Sequence, residues 1–204
     1  ALTLAAGLLA WRVEIGRLQG LLLVAFAFYA IALLSVRRWG ALPHAGVAVL
    51  VVAFAMRAAV VRVDPALSDD VFRYVWDGRV VLAGHDPYAL APADPALATL
   101  RDATIHPRIN HPDLRTIYPP VAEAGFALVA AISPTVLGMK LWVLLHDLAL
   151  VAVLGAWCRR RTGSPLPSIA YAWNPLVVAE YAGSGHHDPT GMLWLVVALV
   201  LAER

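Results

Sequence analysis

The sequence predicts an all-α integral membrane protein, and two observations support that fold class. The 204 residues are 60% hydrophobic and only 15% charged, with a mean hydropathy of +0.70. A soluble domain of this length has too little interior to bury so much apolar surface, whereas a bilayer is a natural solvent for it. Several apolar runs also approach the length that crosses about 30 Å of hydrocarbon as a helix. They lie on both sides of a polar stretch, residues 64–118.

Two long apolar runs precede the polar stretch. Residues 18–36 and 42–63 are each predicted to be a transmembrane helix, and the second is interrupted only by Arg57 and Arg62. Residues 1–10 are also apolar, but that segment is too short to cross a bilayer by itself. The chain starts without methionine and stops just after an apolar run, so we expect a fragment of a longer chain.

The polar stretch is rich in Pro and in Asp-Pro steps, which predict turns and short helices rather than a span. Four further apolar runs follow it, at residues 121–132, 137–157, 165–183 and 192–202. These patterns divide the chain into N-terminal transmembrane helices (1–63), an external loop carrying a juxtamembrane or re-entrant helix (64–136) and further transmembrane helices (137–204).

The placement of arginines predicts the orientation. Arg37-Arg38 and the triplet 159–161 lie in short loops without acidic residues, and short basic loops stay on the cytoplasmic side. The polar stretch is then external, and only one crossing fits between Tyr118 and the triplet. Residues 121–132 are therefore predicted to be interfacial or re-entrant.

The same orientation brings two polar clusters to the external face. One is Asp69-Asp70, directly after the second span, and the other is His186-His187-Asp188. Neighbouring carboxylates on a helix point about 100° apart, so they do not face each other across a bond as a glycosidase requires. They suit a reaction that needs one base, such as glycosyl transfer from a lipid-linked sugar phosphate. The alternative is that the pair only caps a helix.

A departing phosphate needs cations that offset its growing charge. The candidates near the external face are Arg57, Arg62, Arg73, Arg115 and Lys140. Arg62 is close enough to the surface to snorkel, whereas the deeper Arg57 needs a partner, either a lipid phosphate or Asp147. His146-Asp147, in the middle of its run, is predicted to make a hydrogen bond between helices.

Other classes of site and partner fit the sequence less well. Adjacent histidines such as His186-His187 chelate a metal poorly on a helix, so a divalent metal is an alternative that we do not favour. Cys158 is the only cysteine, which excludes an internal disulfide. Lys140 is the only lysine, and no basic stripe with interleaved aromatic residues is present, so nucleic acid is not an expected partner.

The order of several motifs resembles a known family. The stretches that carry the resemblance are Ser68-Asp69-Asp70-Val71-Phe72-Arg73-Tyr74-Val75-Trp76-Asp77-Gly78-Arg79, Gly84-His85-Asp86-Pro87-Tyr88, Ile109-Asn110-His111-Pro112, Thr116-Ile117-Tyr118-Pro119-Pro120, Trp173-Asn174-Pro175-Leu176 and Gly183-Ser184-Gly185-His186-His187-Asp188. Together they resemble bacterial membrane glycosyltransferases of the GT-C fold, near glycosyltransferase family 87 and the polyprenol-phosphomannose-dependent mannosyltransferases. The resemblance covers roughly Ser68 to the end of the chain.

The resemblance implies roles for several residues. It implies that Asp69 is the catalytic base and that Asp70 fills the second acidic position. Lys140 stands where a basic residue would meet a phosphate, and Tyr118 opens a Tyr-Pro-Pro element that resembles the start of a juxtamembrane helix. His187 departs from the amide that the family has at that place in its Gly-His-Asn-Asp motif.

The family implies a polyprenyl-phosphate sugar donor, often a mannose donor, a lipid or glycan acceptor and no required metal. The expected function is therefore an inverting hexosyltransferase, multi-pass in the plasma membrane, with its active site on the external, periplasmic face. His186, His187 and Asp188 would shape the site. A transporter or lipid-binding subunit that uses Arg57 and Asp147 as buried charges is the main alternative. A metal-dependent membrane hydrolase is the third.

Overall fold

The computed structural model describes residues 2–36, 44–65 and 67–203, with side chains from residue 16 onward. Every regular element in these ranges is helical, and they contain no strand, which confirms the all-α part of the prediction. Two helical stretches, Gly16–Ser35 and Val136–Thr162, are long and apolar enough to cross a membrane. Length and composition thus agree with membrane association.

The N-terminal region holds two helices, α1 (Leu2–Ser35) and α2 (Ala45–Val60). The apolar segment at residues 1–10 continues directly into the first predicted span, since α1 is one helix of 34 residues. The second helix is shorter than predicted and has 16 residues. Arg37-Arg38, one of the two orientation markers, lies outside the described residues.

The polar stretch contains α3 (Asp70–Leu82) and two 3₁₀ helices, Pro95–Leu100 and His106–Arg108. Most of α3 is buried, and Trp76 is 0% exposed at the centre of the main core. The sequence-based prediction of short helices and turns is confirmed here. A helix buried on nearly all sides positions its first residues firmly, and those residues include Asp70.

Helix α4 (Pro120–Ile132) packs closely on α3. A Cβ atom at Gly78 would lie 2.4 Å from the carbonyl oxygen of Phe126, so only glycine permits this approach. With 13 residues, α4 is too short to span a bilayer, as its apolar run predicted.

Helix α5 (Val136–Thr162) is the second long apolar helix. Thr135 caps its first turn by accepting a hydrogen bond from the Gly138 amide, and Gly163, with φ of 77°, ends it in the left-handed conformation. The arginine triplet 159–161 forms its last turn.

The chain after α5 is a broken series rather than the single span predicted at residues 165–183. Its pieces are a 3₁₀ turn (Leu166–Ser168), α6 (Ile169–Ala172), α7 (Pro175–Val177) and a π-helix (Val178–Ser184), and α8 (Asp188–Ala202) follows them. Proline has no amide hydrogen and its ring displaces the preceding turn, so Pro167 and Pro175 interrupt a continuous helix. The single span was predicted from the apolar content of residues 165–183, without regard to these two prolines.

A buried ion pair joins α2 to α5. The Arg57 guanidinium donates to both carboxylate oxygens of Asp147, and both side chains are 0% exposed. Arg57 also donates to the carbonyls of Ala53 and Ala172, and the Tyr171 hydroxyl donates to Asp147. Of the two partners predicted for Arg57, the structure provides Asp147. The assignment of Arg57 to phosphate binding is therefore corrected, because its donors are already used inside the bundle.

Candidate functional site

The acidic pair at the start of α3 divides into two different environments. Asp69 occupies the N-cap position, but its side chain is exposed and makes no capping bond. The hydroxyl of Ser68 takes that role, accepting a bond of 3.2 Å from the Asp70 amide. Asp70 is the first residue of the helix, and its carboxylate is only 34% exposed. Of the pair, Asp70 therefore faces the interior.

Two residues from distant parts of the chain converge on Asp70. Asn110 Nδ2 donates to one carboxylate oxygen at 2.7 Å, and His186 Nε2 lies 3.7 Å from the other. The second ring nitrogen of His186, Nδ1, is 2.9 Å from the Glu180 carboxylate. An Nδ1–H donates to the Glu180 carboxylate, and in a ring that carries both protons the Nε2–H points toward Asp70. Glu180 therefore orients the His186 ring.

The backbone at these positions departs from regular helix. Glu180 lies in the π-helix Val178–Ser184, a rare form that occurs preferentially at functional sites. Gly185, with φ of 87°, ends this segment and turns the chain so that His186 approaches Asp70. His111, beside Asn110, also has a positive φ of 49°, which is uncommon for a residue other than glycine.

A cavity of about 160 Å³ opens beside Asp70. The residues that line it are Asp70, Arg73, Asn110, His111, Leu114, Arg115, Ile117 and Tyr118. It combines one carboxylate with two guanidinium groups. A cavity with this lining suits a ligand that carries both hydroxyl groups and an anion.

The two arginines of the cavity are held differently. Arg73 donates from Nε to both carboxylate oxygens of Asp77 at 2.8 Å and from Nη1 to the Leu114 carbonyl at 2.9 Å. Its Nη2 is buried and has no acceptor in the described ranges. Arg115 is exposed at the cavity, and among the residues described no carboxylate or hydrogen-bond acceptor engages it. Arg115 therefore brings uncompensated positive charge to the cavity.

A buried acidic group lies behind the cavity wall. The Thr116 hydroxyl donates to Glu123 Oε1 at 2.6 Å, and Glu123 is only 4% exposed. Burial, together with the negative charge of Asp77, raises the pKa of Glu123 to about 7. Glu123 thus holds a proton that its unfolded counterpart, with a pKa near 4.5, would release.

This raised pKa predicts how stability depends on pH. The folded state binds the Glu123 proton more tightly, so stability is fully present below the unfolded pKa and is lost as pH rises through about 7. The expected loss is on the order of 3 kcal/mol. Glu123→Gln, which mimics the protonated form, is expected to reduce the slope, whereas Asp113→Asn on the exposed loop leaves it unchanged. Thermal unfolding in detergent between about pH 5 and about pH 8 measures this; equal slopes in the two variants would contradict it.

An aromatic wall borders the cavity on the side of α8. The ring of His187 meets those of Tyr74, Tyr118 and Phe126 edge-on, with centroids 5.0, 5.2 and 5.4 Å away. Burial lowers the pKa of His187 and raises that of Tyr118 to about 12, so both rings are neutral near pH 7. His187 therefore acts as part of an aromatic wall.

An apolar groove of about 300 Å³ lies on the other side of this wall, between α4, α5 and α8. Trp142, Trp194 and Leu128 contribute to its lining, and so does His187. Tyr118 lines the polar cavity, and its ring contacts those of His187 and Phe126, which line the groove. A polar compartment and an apolar one thus adjoin.

Other predicted site residues lie away from the cavity lining. Lys140 is 1% exposed, donates from Nζ to the Val63 carbonyl at 2.7 Å and does not line the polar cavity. The aliphatic part of Lys140 packs on Gly185, where a Cβ atom would lie 3.0 Å from Lys140 Cγ. Asp188 is exposed in the first turn of α8. His146 bonds the Trp142 carbonyl within α5, and the bonds between helices come from Asp147 instead.

Comparisons with protein families, curated proteins and solved structures returned no match to this chain. Membership of the glycosyltransferase family is therefore a proposal.

The structure thus brings together Asp70, Arg73, Arg115, Tyr118 and His186. It also adds partners that the sequence reasoning did not assign to the site: Asn110, Asp77 and Glu123. Asn110 stands in one of the motifs quoted above, without a role there. Glu180 joins the site through its contact with His186. Across the ranges that the structure describes, no group of three His, Cys, Asp or Glu side chains is arranged to hold a metal ion. Metal independence stays a prediction.

Proposed function

We propose that the chain is part of a GT-C-type membrane glycosyltransferase that moves a hexose from a polyprenyl-phosphate donor to an acceptor hydroxyl. One observation carries this proposal. The Tyr118 ring lines the polar cavity with Asp70 and Arg115, and it contacts the His187 and Phe126 rings, which line an apolar groove. Such a pair of compartments fits a substrate with a charged sugar-phosphate head and an apolar tail.

Asp70 is the proposed base. The acceptor oxygen attacks the anomeric carbon of the sugar, its proton passes to the Asp70 carboxylate, and the bond from that carbon to the phosphate oxygen breaks. The electron pair leaves with the polyprenyl phosphate, and attack from the opposite side inverts the configuration at carbon. The family resemblance points to Asp69 for this role. Asp70 is preferred because its carboxylate lines the cavity, while the Asp69 side chain is exposed to solvent.

Two arginines are proposed to meet the phosphate. Arg115 supplies the charge that no carboxylate offsets, and Arg73 brings a donor, Nη2, that lacks an acceptor. Arginine binds phosphate through two parallel hydrogen bonds, which fixes orientation as well as charge. Arg57 and Lys140 are left out of the phosphate site because their donors are engaged elsewhere.

His186 and Glu180 are proposed to position the base. The Glu180 carboxylate holds His186 from one side, and the ring in turn faces Asp70. Asn110 fixes the other oxygen of Asp70. The carboxylate is therefore restrained from both sides, and it keeps a lone pair for the incoming proton.

The membrane arrangement belongs to the same proposal. Helices α1, α2 and α5 cross the plasma membrane, α4 lies at the external interface, and the broken series before α8 returns the chain to that face. The arginine triplet at the end of α5 sets the cytoplasmic side. The cavity then lies at the external surface, where a lipid-linked donor presents its head group.

Direct transfer is the decisive test. Membranes containing the full-length protein are incubated with radiolabelled polyprenyl-phosphate hexoses, mannose first, and label in lipid or glycan products is counted. Arg115→Gln is expected to lower transfer roughly tenfold to a hundredfold, because a charge-assisted bond to phosphate is lost. Arg62→Gln, an exposed arginine outside the cavity, is the matched control. Absence of transfer from every hexose donor would refute the proposed activity. An equal effect of the two variants would refute the assignment of Arg115 to the phosphate.

The two alternative functions receive less support from the geometry. A charge relay for transport needs groups that exchange partners along a path, whereas Arg57 and Asp147 are 0% exposed and fully engaged with each other. A metal-dependent hydrolase needs convergent imidazoles. Here His186 lies between two carboxylates, and the His187 ring packs among aromatic rings.

A further inference from the structure

A second cavity lies at the other end of α2 and α5. Its volume is about 300 Å³, and it is bounded by the first turns of α2, the last turns of α5 and Pro165. The two helices are antiparallel, because Arg57 near the end of α2 pairs with Asp147 while Gly46 at its start meets Arg159. Gly46 and Arg57 are eleven residues apart on α2, so the Arg159 end of this cavity is about 16 Å from the buried ion pair.

The walls of this cavity are apolar and its rim is cationic. Leu50 on α2 and Val151 on α5 line the interior, and Gly155 keeps the space open. At the rim, Arg159 lies against the backbone of α2, where a Cβ atom at Gly46 would be 3.2 Å from its Nη2. The guanidinium thus covers the mouth of an apolar slot.

The charge of Arg159 is not compensated in the parts of the chain that the structure describes. Arg161, in the same turn, pairs with Glu203 at 3.2 Å, whereas Arg159 has no carboxylate partner there. Arg160 lines a different cavity, beside Glu203 and Trp157. The triplet therefore presents one arginine toward α2 and two toward α8.

We propose that the cavity between α2 and α5 binds an anionic phospholipid, with the headgroup phosphate on Arg159 and an acyl chain along the slot. Basic pockets between helices at the cytoplasmic surface recognise anionic headgroups, and apolar burial of the chain adds to the affinity. Arginine also matches the geometry of a phosphate. The proposal rests on the membrane arrangement proposed above, with α2 and α5 in a bilayer, and it does not depend on the glycosyltransferase chemistry.

The test measures retention of defined lipids. The full-length protein is purified in mild detergent, titrated with phosphatidylglycerol or phosphatidylcholine, and analysed by native mass spectrometry. Phosphatidylglycerol is expected to bind about tenfold tighter than phosphatidylcholine, and Arg159→Gln to remove that preference. Arg160→Gln removes the same charge from a neighbouring position and is expected to leave it intact. Equal binding of the two lipids, or equal effects of the two variants, would overturn the proposal.

Two further measurements distinguish binding of a phospholipid from binding of a phosphate ion and from loss of the fold. Inorganic phosphate at millimolar concentration is expected not to displace phosphatidylglycerol; full displacement would show an ion site and refute the acyl chain. Gly155→Leu fills the slot, and its Cβ meets only the Ser168 hydroxyl at 3.6 Å. This variant is expected to lose lipid while it keeps Arg159 and its melting temperature. Undiminished binding in a folded Gly155→Leu protein would contradict the assigned position of the chain.

Discussion

Asp70→Asn is expected to lower hexose transfer roughly a hundredfold to ten-thousandfold, while Asp69→Asn keeps most of the activity. The substitution removes one negative charge and changes the shape of the side chain very little. Its amide oxygen still accepts the hydrogen bond from Asn110, so the start of α3 keeps its position. What disappears is the group proposed to take the proton of the acceptor hydroxyl as the new glycosidic bond forms.

Asp69→Asn is an unusually close control. It is the same chemical change one residue earlier, on a side chain that is exposed and makes no capping bond. Both variants are measured in the full-length protein, in membranes, with expression checked by immunoblot. Loss of transfer in Asp69→Asn with retention in Asp70→Asn would reverse the assignment and restore the role that the family resemblance implies.

The rate profile with pH adds an independent readout for the residues behind the base. If Glu180 and His186 only maintain the fold, Glu180→Gln changes expression or stability and leaves the shape of the profile alone. If they position Asp70, the variant shifts the acid limb of the profile, because the environment of that carboxylate changes. A profile identical to that of the parent protein would exclude the positioning role.

Part of the candidate site could be predicted from the sequence. The orientation predicted from the arginines, together with motif order, placed Asp70 and His186 on one face. The structure brings the two side chains to 3.7 Å although 116 positions separate them in the chain. The short helix α4 followed from its length, and α5 from its apolar content. Each of these inferences used a local pattern with a strong physical constraint.

What the sequence did not reveal depends on loops and on competition among partners. Asn110 reaches Asp70 from a stretch whose path includes a residue at φ of 49°, and no periodic pattern encodes such a path. Arg57 had two possible partners in the sequence, and only packing of α2 on α5 decides for Asp147. Lys140 shows the same limit, since a carbonyl exposed by the turn after α2 takes its amino group.

Breaking the Arg57–Asp147 pair is expected to cost about 3–5 kcal/mol of stability when one partner is removed. In Asp147→Leu, the Arg57 guanidinium stays buried, and its only remaining hydrogen-bond acceptors among the described residues are the Ala53 and Ala172 carbonyls. In Arg57→Met, an uncompensated carboxylate remains with the single Tyr171 hydroxyl. Each single variant therefore leaves a charge in a position that water does not reach, and a bilayer makes that more costly still.

The double variant separates the scaffold role from any role of the charges themselves. Arg57→Met with Asp147→Leu removes both charges and fills the space with apolar atoms, so its loss of stability is expected to be smaller than either single loss. Thermal unfolding of the full-length protein in detergent gives the coupling energy. Asp64→Asn, which breaks the exposed pair between Arg108 and Asp64, is the control and is expected to cost about 0–1 kcal/mol.

The activity of that double variant then decides what the buried pair is for. A scaffold pair is replaceable, so a folded double variant should transfer hexose at a rate near that of the parent protein. A charge relay is not replaceable, and its loss would abolish function however well the protein folds. Strict additivity of the single losses, or a stable but inactive double variant, would contradict the scaffold role and revive the alternative in which Arg57 and Asp147 carry the function.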